Sequence, residues 1–365
     1  MQLKGIADVS WYVTGRWVGD SEFEQELDVI LDQFDYDVVY FNNGMEGAEY
    51  SLKQYERALA RTFDKLADLD TAVVWCDSTL PNPDAGDDAG RNRISERNEI
   101  AQAHAKKQGF KTDNLGGFEA SAYRDDVHFI GQVSHRQSKR VVETIKSLLE
   151  SKKEYAGKSV SRGKSKDVIG PEMREGIEWS FIRHQNANQV TLPRVLLVGD
   201  SIVGGYSFQV SKRLEGVANV SWYMTSRCMG DPEFDRELDL VLGQRDYDVI
   251  YFNNGLHGSR FSNEQYEDGL SRTFDTLAAL DAVVVWRDNT LINPDVTDDA
   301  GRAQISDRNA IAHVVAEKHA FQTDNLGTFE ASAYQDKLHY THDAQGAQAG
   351  HAADTIQKFL KAKRD

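Results

Sequence analysis

Cysteine, positive charge and long apolar runs are all scarce in this sequence of 365 residues. Only two cysteines occur, Cys76 and Cys228, so a structural disulfide framework is not expected. No CxxC or HExxH pattern is present, and we therefore expect no metal site. No stretch approaches the roughly 18 consecutive apolar residues that a membrane helix needs, which argues against a membrane span.

Lysine and arginine number 42 against 58 aspartate and glutamate residues, and the formal net charge is −16. This balance argues against nucleic acid as a partner, because phosphate backbones require a basic surface. The N-terminus reads MQLKGIADVSWY and lacks the basic and then apolar pattern of a secretory signal. The sequence assigns no compartment. Its length and its hydrophobic content of 40% predict two globular domains.

An internal repeat sets the domain organisation. VSWYVTGRWVGD at 9–20 matches VSWYMTSRCMGD at 220–231, and DYDVVYFNNG at 35–44 matches DYDVIYFNNG at 246–255, both at an offset of 211 residues. These matches predict two tandem copies of one domain, at 1–150 and 168–365. Two copies are too few for a solenoid.

The segment between the copies, 151–167, reads SKKEYAGKSVSRGKSKD. It has six basic residues, little apolar content and several serines and glycines, which favours a solvated linker. A nucleic-acid patch is the less favoured alternative.

The second copy alternates short apolar runs with helical patterns. The predicted strands are 194–199, 220–224, 249–253, 282–286 and 321–323. The predicted helices are 207–214, 232–242, 263–280, 302–318 and 344–363. This alternation predicts an α/β fold of three α/β/α layers with a parallel five-stranded sheet. Ligands of such sheets bind beyond the carboxyl ends of the strands, so the chemistry is expected there.

Two polar motifs follow the first and the last predicted strands. Ser201 lies in the sequence GDSI, at a strand-to-helix turn where free N–H groups and positive potential favour a nucleophile. Asp336 and His339 are spaced so that the carboxylate can orient the imidazole toward a serine. Each motif alone has a structural explanation, a helix cap for the serine and a surface pair for the other two. Together, at two strand ends of one domain, they predict a catalytic triad.

The intervening strand ends supply candidate oxyanion donors. Gly230 allows a backbone N–H to approach a ligand closely, and the side chains of Asn253, Asn254 or His257 could point at the same oxygen. The alternative for this segment is turn chemistry, in which Asn and Gly adopt positive φ angles.

These residues resemble the sequence blocks of the SGNH (GDSL-like) hydrolase family, over essentially all of 175–365. The matching elements are GDSI at 199–202, the glycine at 230, NNGLHG at 253–258 and DKLHYT at 336–341. IEWSFIRHQ followed by LPRVLLVGDSI is also similar to family members thought to remove acyl groups from carbohydrates. One block departs from the family, whose third block usually reads Gly-x-Asn-Asp. His257, Asn253 or Asn254 therefore takes the donor role of the missing asparagine.

The resemblance implies a flavodoxin-like SGNH hydrolase fold and a serine esterase without a cofactor. Ser201 would attack the ester carbonyl after His339, oriented by Asp336, takes its proton, and an acyl-enzyme would follow. The oxyanion would be held by the N–H groups of Ser201 and Gly230 and by a side chain from 253–257. The implied substrate is a small-molecule or carbohydrate ester, with O-acetyl groups on carbohydrate as one candidate.

Two other classes of function are weighed against the esterase. The main alternative is a non-catalytic carbohydrate- or protein-binding module on the same fold. A nucleotide-binding fold is weakly supported, because GDSIVGG resembles a phosphate loop only loosely, contains no GKS or GKT, and the sequence has neither GxGxxG nor the full GxxxxGK(S/T) pattern.

The first copy has no counterpart of 194–202, and therefore neither the nucleophile nor the first strand. Asp125 and His128 match Asp336 and His339, whereas Glu46 replaces His257. Two explanations fit, a start site upstream of Met1 or a decayed non-catalytic module, and we favour truncation of a formerly complete tandem. In both cases 1–150 alone is expected to hydrolyse no ester.

Overall fold

The structure is a computed structural model that describes residues 3, 6–114, 118–155, 173–186, 189–325 and 330–364, with 152–155 and 364 described by their backbone alone. The chain divides into two compact units. Unit 1 contains Met1–Asp8 and Arg16–Lys166, and unit 2 contains Val9–Gly15 and Asp167–Asp365.

The described residues alternate between strands and helices. The strands are β1 (Val9–Thr14), β2 (Val38–Phe41), β3 (Ala72–Cys76), β4 (Lys111–Asp113), β5 (Ile177–His184), β6 (Arg194–Gly199), β7 (Asn219–Thr225), β8 (Val249–Phe252), β9 (Val283–Arg287) and β10 (Gln322–Asp324). The helices are α1 (Ser21–Gln33), α2 (Leu52–Ala67), α3 (Asp88–Gln108), α4 (Gly131–Tyr155), α5 (Ser201–Arg213), α6 (Pro232–Gln244), α7 (Asn263–Ala278), α8 (Asp299–Lys318) and α9 (His342–Arg364). No helix among these residues is both long and apolar enough to cross a membrane.

Unit 2 is built on one sheet with the strand order β1-β5-β7-β6-β8-β9-β10. Apolar side chains of α6, α7 and α8, such as Phe234 and Phe274, form the core on one face. Those of α5 and α9, such as Tyr206 and Ile356, form it on the other. The α/β class with a mainly parallel sheet is thus confirmed, and helices cover both faces.

The predicted count of five strands is too low, because this sheet has seven and is mixed. β7, β6, β8, β9 and β10 are parallel, as predicted, and β5 pairs antiparallel with β7. Sequence reasoning missed β5 because its buried positions include Glu178 and Ser180, while Trp179 is less buried. This inverts the usual pattern in which apolar residues face inward and polar residues face outward.

The seventh strand, β1, comes from the part of the sequence predicted to be domain 1–150. It pairs parallel with β5 and belongs to unit 2. The sequence of β1 matches that of β7, which pairs with β6. In this structure β1 therefore pairs its backbone groups with β5, whereas β7 pairs with both β5 and β6.

Unit 1 has a parallel sheet of three strands in the order β2-β3-β4. Its core joins α2 and α3 to this sheet through residues such as Phe63 and Trp75, both fully buried. At the end of the unit, α4 runs to Tyr155 and so includes the first five residues of the predicted linker 151–167. The residues Lys152, Lys153 and Glu154 suit a helix. The rest of the linker, 156–167, lies outside the described residues.

Elements of the two units correspond at the offset of 211 residues. The bounds Leu52–Ala67 of α2 and Asn263–Ala278 of α7 match residue for residue, as do those of β3 and β9. Both helices also begin with the same capping box, Ser51 with Gln54 and Ser262 with Gln265. Local sequence therefore specifies the same element at the same place in both halves.

Candidate active site

Ser201 is the first residue of α5 and directly follows the end of β6. The buried carboxylate of Asp200 caps the helix, with its Oδ1 accepting a hydrogen bond from the Ile202 N–H at 2.9 Å. The turn requires a glycine at 199, since a Cβ there would lie 2.2 Å from Val203 Cγ2. Strand, glycine turn and capped helix place the half-buried serine at the positive end of a helix.

Asp336 and His339 lie in a short loop before α9. Asp336 Oδ1 accepts hydrogen bonds from the backbone N–H groups of Leu338 and His339, both at 2.8 Å. The backbone donor of His339 is the largest cause that lowers the pKa of Asp336 to about 2, and with the donor of Leu338 it outweighs the opposing effect of burial. The carboxylate is therefore ionised at neutral pH and held in a fixed orientation.

Ser201, His339 and Asp336 form one hydrogen-bonded chain. His339 Nδ1 lies 2.8 Å from Asp336 Oδ2, and His339 Nε2 lies 3.0 Å from Ser201 Oγ. An ionised carboxylate can only accept, so the imidazole carries its proton on Nδ1 and turns the lone pair of Nε2 toward the serine. The three side chains predicted from sequence are thus brought together across a separation of 138 residues.

Gly230 lies in the loop between β7 and α6, with a φ of 114° that favours glycine. A Cβ there would lie 3.1 Å from both the Gln265 carbonyl oxygen and the Phe261 ring. The turn is closed by the Asp231 N–H, which donates to the Cys228 carbonyl at 2.9 Å. Backbone conformation alone thus explains the glycine, and its predicted role as an oxyanion donor stays a prediction.

The asparagine side chains that follow β8 are engaged within unit 2. Asn253 is fully buried, and its Nδ2 donates to the Arg287 carbonyl at 2.9 Å and to Asn289 Oδ1 at 3.0 Å. Both amide hydrogens are used, so the prediction of Asn253 as an oxyanion donor is not supported. Asn254 Nδ2 donates to the Arg227 carbonyl at 2.8 Å. These amides tie neighbouring strand ends together.

His257, the third predicted donor, is the only one of these side chains paired with a carboxylate. Its Nδ1 lies 2.9 Å from Glu175 Oε1, and its ring meets the Trp179 ring edge-on at a centroid distance of 5.8 Å. The loop is fixed by Arg308, which donates to the carbonyls of His257 and Gly258, both at 2.7 Å. His257 is therefore held from two sides.

Charge also shapes the His257 environment. Burial disfavours the imidazolium, but the Glu175 hydrogen bond and the charges of Asp200, Glu175 and Glu178 outweigh it and raise the pKa of His257. Burial likewise disfavours the Glu175 carboxylate, yet the bond to His257 lowers the pKa of Glu175. The influence of Asp200 connects His257 electrostatically to the turn that carries Ser201.

Sequence reasoning missed Glu175 and Arg308. Glu175 lies just before β5 and belongs to no motif, and Arg308 is one of two arginines in α8. Nothing in the spacing of either residue marks it, because each meets His257 only through tertiary folding. Among the described residues, no group of three or more His, Cys, Asp or Glu side chains could hold a metal ion.

Unit 1 contains the matching pair, and among the described residues no hydrogen bond joins its histidine, His128, to a serine. His128 Nδ1 lies 2.9 Å and 3.0 Å from the two carboxylate oxygens of Asp125. The backbone N–H groups of His128 and Val127 are the main cause that lowers the pKa of Asp125 to about 2. The Asp-x-x-His geometry is therefore a local property of this loop sequence and forms without a nucleophile.

Comparison with known proteins gives only distant likenesses. No protein-family model and no curated protein matches the sequence. Among solved structures, the chain is similar to Est24, a carbohydrate acetylesterase from Sinorhizobium meliloti, with 12% identity, 46% of this chain and 99% of that chain covered, and a TM-score of 0.40. It is also similar to LAE5, an α/β hydrolase enzyme from the metagenome of Lake Arreo, Spain, with 16% identity, 46% and 96% coverage, and a TM-score of 0.39. Likenesses at this level assign neither a family nor an activity.

Proposed function

We propose that unit 2 is a serine esterase that hydrolyses carboxylic esters. The observation that carries this proposal is the distance of 3.0 Å between His339 Nε2 and Ser201 Oγ, with His339 Nδ1 held 2.8 Å from Asp336 Oδ2. A serine in this arrangement loses its proton to the imidazole as it attacks, and the carboxylate stabilises the imidazolium that forms.

The proposed reaction has two stages. Ser201 Oγ forms a bond to the ester carbonyl carbon while His339 Nε2 takes the hydroxyl proton. The bond to the alcohol oxygen then breaks, and the imidazolium returns the proton to the leaving alcohol. Water next attacks the acyl carbon and gives a proton to His339. The bond between that carbon and Ser201 Oγ then breaks, and the imidazolium returns the proton to the serine as the acid leaves. No cofactor takes part in these steps.

The negative oxygen of the tetrahedral intermediate needs donors. We assign this role to the N–H of Ser201 at the start of α5, the N–H of Gly230, and the His257 side chain. The Glu175 carboxylate can only accept from His257, so it fixes a proton on Nδ1. Nε2 of His257 is then a donor only when the ring is an imidazolium. The neighbouring carboxylates favour that form, since they raise the pKa of His257 against the effect of burial.

We also infer that the chain belongs with the SGNH hydrolases and carries two tandem copies of one domain, proposed at 1–150 and 168–365. The coincident bounds of α2 and α7, and of β3 and β9, support the duplication. The resemblance of IEWSFIRHQ favours an O-acetyl ester on carbohydrate as substrate. Unit 1, whose sequence offers no counterpart of Ser201, is proposed to be non-catalytic.

The direct test is hydrolysis of p-nitrophenyl acetate by the full chain beside its Ser201→Ala variant. Turnover in the wild type that falls to the uncatalysed rate in the variant is the expected result, and release of acetate from acetylated xylan is then the next assay. Turnover that survives in the variant would refute the assigned nucleophile. A folded wild type that releases acid from neither substrate would favour the alternative, a non-catalytic module that binds carbohydrate or protein.

A further inference from the structure

A histidine at the C-terminal end of α8, His319, has an oxygen atom opposite each of its ring nitrogens. Nδ1 lies 2.9 Å from the carbonyl oxygen of Val315, one turn earlier in α8, and Nε2 lies 2.9 Å from Asp275 Oδ1 on α7. A carbonyl oxygen can only accept a hydrogen bond, and the same holds for an ionised carboxylate. The ring can therefore make both bonds only as an imidazolium, with a proton on each nitrogen.

The ring of His319 is half-buried and packs against two phenylalanines. It meets the Phe274 ring edge-on at a centroid distance of 5.8 Å, and its centroid lies 5.5 Å from that of Phe321. The charged groups that act on it are Asp275 of α7 and Lys318, its neighbour in α8. Burial disfavours the imidazolium, as does Lys318, but the two hydrogen bonds and the Asp275 charge outweigh both and raise the pKa of His319.

The backbone that follows His319 adopts a conformation that is costly for its residue. Ala320 has a φ of 55°, in the left-handed region that favours glycine. Beyond it, the Phe321 N–H donates to the Ala316 carbonyl at 2.9 Å and closes the end of the helix. The bond from His319 to α7 thus holds a helix end that carries backbone strain.

Unit 1 has the same helix end with a different side chain at this position. At the offset of 211 residues, His319 is replaced by Gln108, and the aspartate is kept as Asp64. Gln108 Nε2 donates to Asp64 Oδ1 at 2.6 Å, and Gly109 takes the left-handed position with a φ of 74°. An amide does not titrate, so this bond is the same on both sides of neutral pH.

We propose that His319 is a proton-sensitive latch, which as an imidazolium closes the end of α8 onto α7 and opens when the ring loses a proton. The neutral ring has a single N–H, so either the Val315 carbonyl or the Asp275 carboxylate then faces a nitrogen lone pair. The stability that the latch contributes is fully present below the pKa of this histidine in the unfolded chain. It is lost as the pH rises through the raised pKa of the folded protein.

The latch is expected to act locally. Asp275 is exposed, so solvent screens its charge, and the loss of one hydrogen bond at a helix end permits opening of that end without unfolding of the unit.

The test is hydrogen exchange of the full chain, followed by mass spectrometry at about pH 6 and about pH 8, on either side of the histidine range. After correction for the intrinsic pH dependence of exchange, the segment 316–323 of unit 2 should exchange about 3- to 10-fold faster at the higher pH, the factor for loss of one hydrogen bond. The matching segment 105–112 of unit 1 should show no such change. The comparison is made within one molecule and needs no ester turnover, so it is independent of the proposed esterase.

Two exchanges between the units sharpen the test. His319→Gln should abolish the pH dependence of 316–323, because it supplies the amide that unit 1 uses at this position. Gln108→His should confer the dependence on 105–112, because Asp64 occupies the position of Asp275. Equal acceleration of the two segments in the wild type, a dependence that survives in His319→Gln, or none gained in Gln108→His would overturn the latch.

Discussion

Units 1 and 2 build most of the same elements from similar sequence, yet only unit 2 has the serine turn. In unit 2, β6 lies between β7 and β8 and ends at the residues that carry Ser201. The first half keeps the counterparts of β7, β8, β9 and β10, but β1 pairs with β5 rather than with a strand of unit 1. Helix and strand identity is thus set locally, whereas the pairing of a strand depends on which partners exist.

The two Asp-x-x-His loops have the same local geometry, although only one of them contacts a nucleophilic serine in the described residues. Asp125 with His128 and Asp336 with His339 make matching hydrogen bonds, and both carboxyl pKa values are lowered to about 2. The dyad is therefore not evidence of activity by itself. What distinguishes unit 2 is the contact of His339 with Ser201.

The largest expected difference between the units lies in the two histidines. His339→Ala should lower kcat by at least about 10³-fold, because it removes the base from a group of residues that act as a unit. His128→Ala should leave kcat unchanged within about twofold, because His128 is not part of the proposed triad. Steady-state kinetics on p-nitrophenyl acetate measures both. Similar losses in the two variants would contradict the assignment of activity to unit 2.

The second comparison concerns a buried ion pair that both units contain. Arg227 Nε lies 2.8 Å from Glu237 Oε1, and Arg16 Nε lies 2.7 Å from Glu26 Oε1. Glu237→Gln should destabilise the protein by about 1–3 kcal/mol, because it removes the nearest carboxylate of a buried guanidinium and leaves Asp231, at 3.4 Å, as its charge partner. Glu26→Gln is expected to act similarly on unit 1. Urea unfolding measures both, and a change below about 1 kcal/mol in either would count against a shared structural role.

The third prediction sharpens the contrast between His257 and Glu46, which replaces it in the first half. His257→Phe should lower kcat about 10²- to 10³-fold, the usual loss for one oxyanion donor. In the wild type, the imidazolium is present below its raised pKa and is lost as the pH rises through it, so kcat should fall on the alkaline side.

His257→Gln offers a neutral donor and should remove that alkaline fall. Asp336 does not contribute to the profile near neutral pH, since its pKa of about 2 keeps it ionised there. Glu46→Gln serves as the matched control, with an unchanged profile. An alkaline fall that persists in His257→Gln would refute the oxyanion role.

The smallest expected effect tests the similarity of the two units. The hydroxyl oxygens of Ser51 and Ser262 accept from the N–H groups of Gln54 and Gln265, at 3.3 Å and 3.2 Å. Ser51→Ala and Ser262→Ala should each cost about 1 kcal/mol, as loss of an N-cap usually does. Asparagine at either position should restore the stability. If one serine variant lowered the free energy of unfolding and the other did not, the two N-caps would contribute differently to stability despite their equal local geometry.

Much of the fold could be predicted because the strands of unit 2 are short apolar runs between turn signals. The predicted strand 194–199 coincides with β6, and the predicted start of a helix at Pro232 is the start of α6. The failures share a cause. Neither strand is marked by its local pattern: β5 buries Glu178 and Ser180, against the usual alternation, and β1 pairs with a strand that lies far along the chain.

The sequence by itself determined the local features: the helices and their caps, the glycine turn before Ser201, and the Asp-x-x-His loop that orients its own imidazole. These depend on residues a few positions apart, whose interactions a linear pattern records. Only the tertiary structure decided which groups meet across long separations. It engages the Asn253 amide with Arg287 and Asn289, pairs His257 with Glu175, and packs the buried guanidinium of Arg287 against the Tyr206 ring. Such contacts follow from the packing of the whole sheet, in which any one side chain has many possible partners until the strands are ordered.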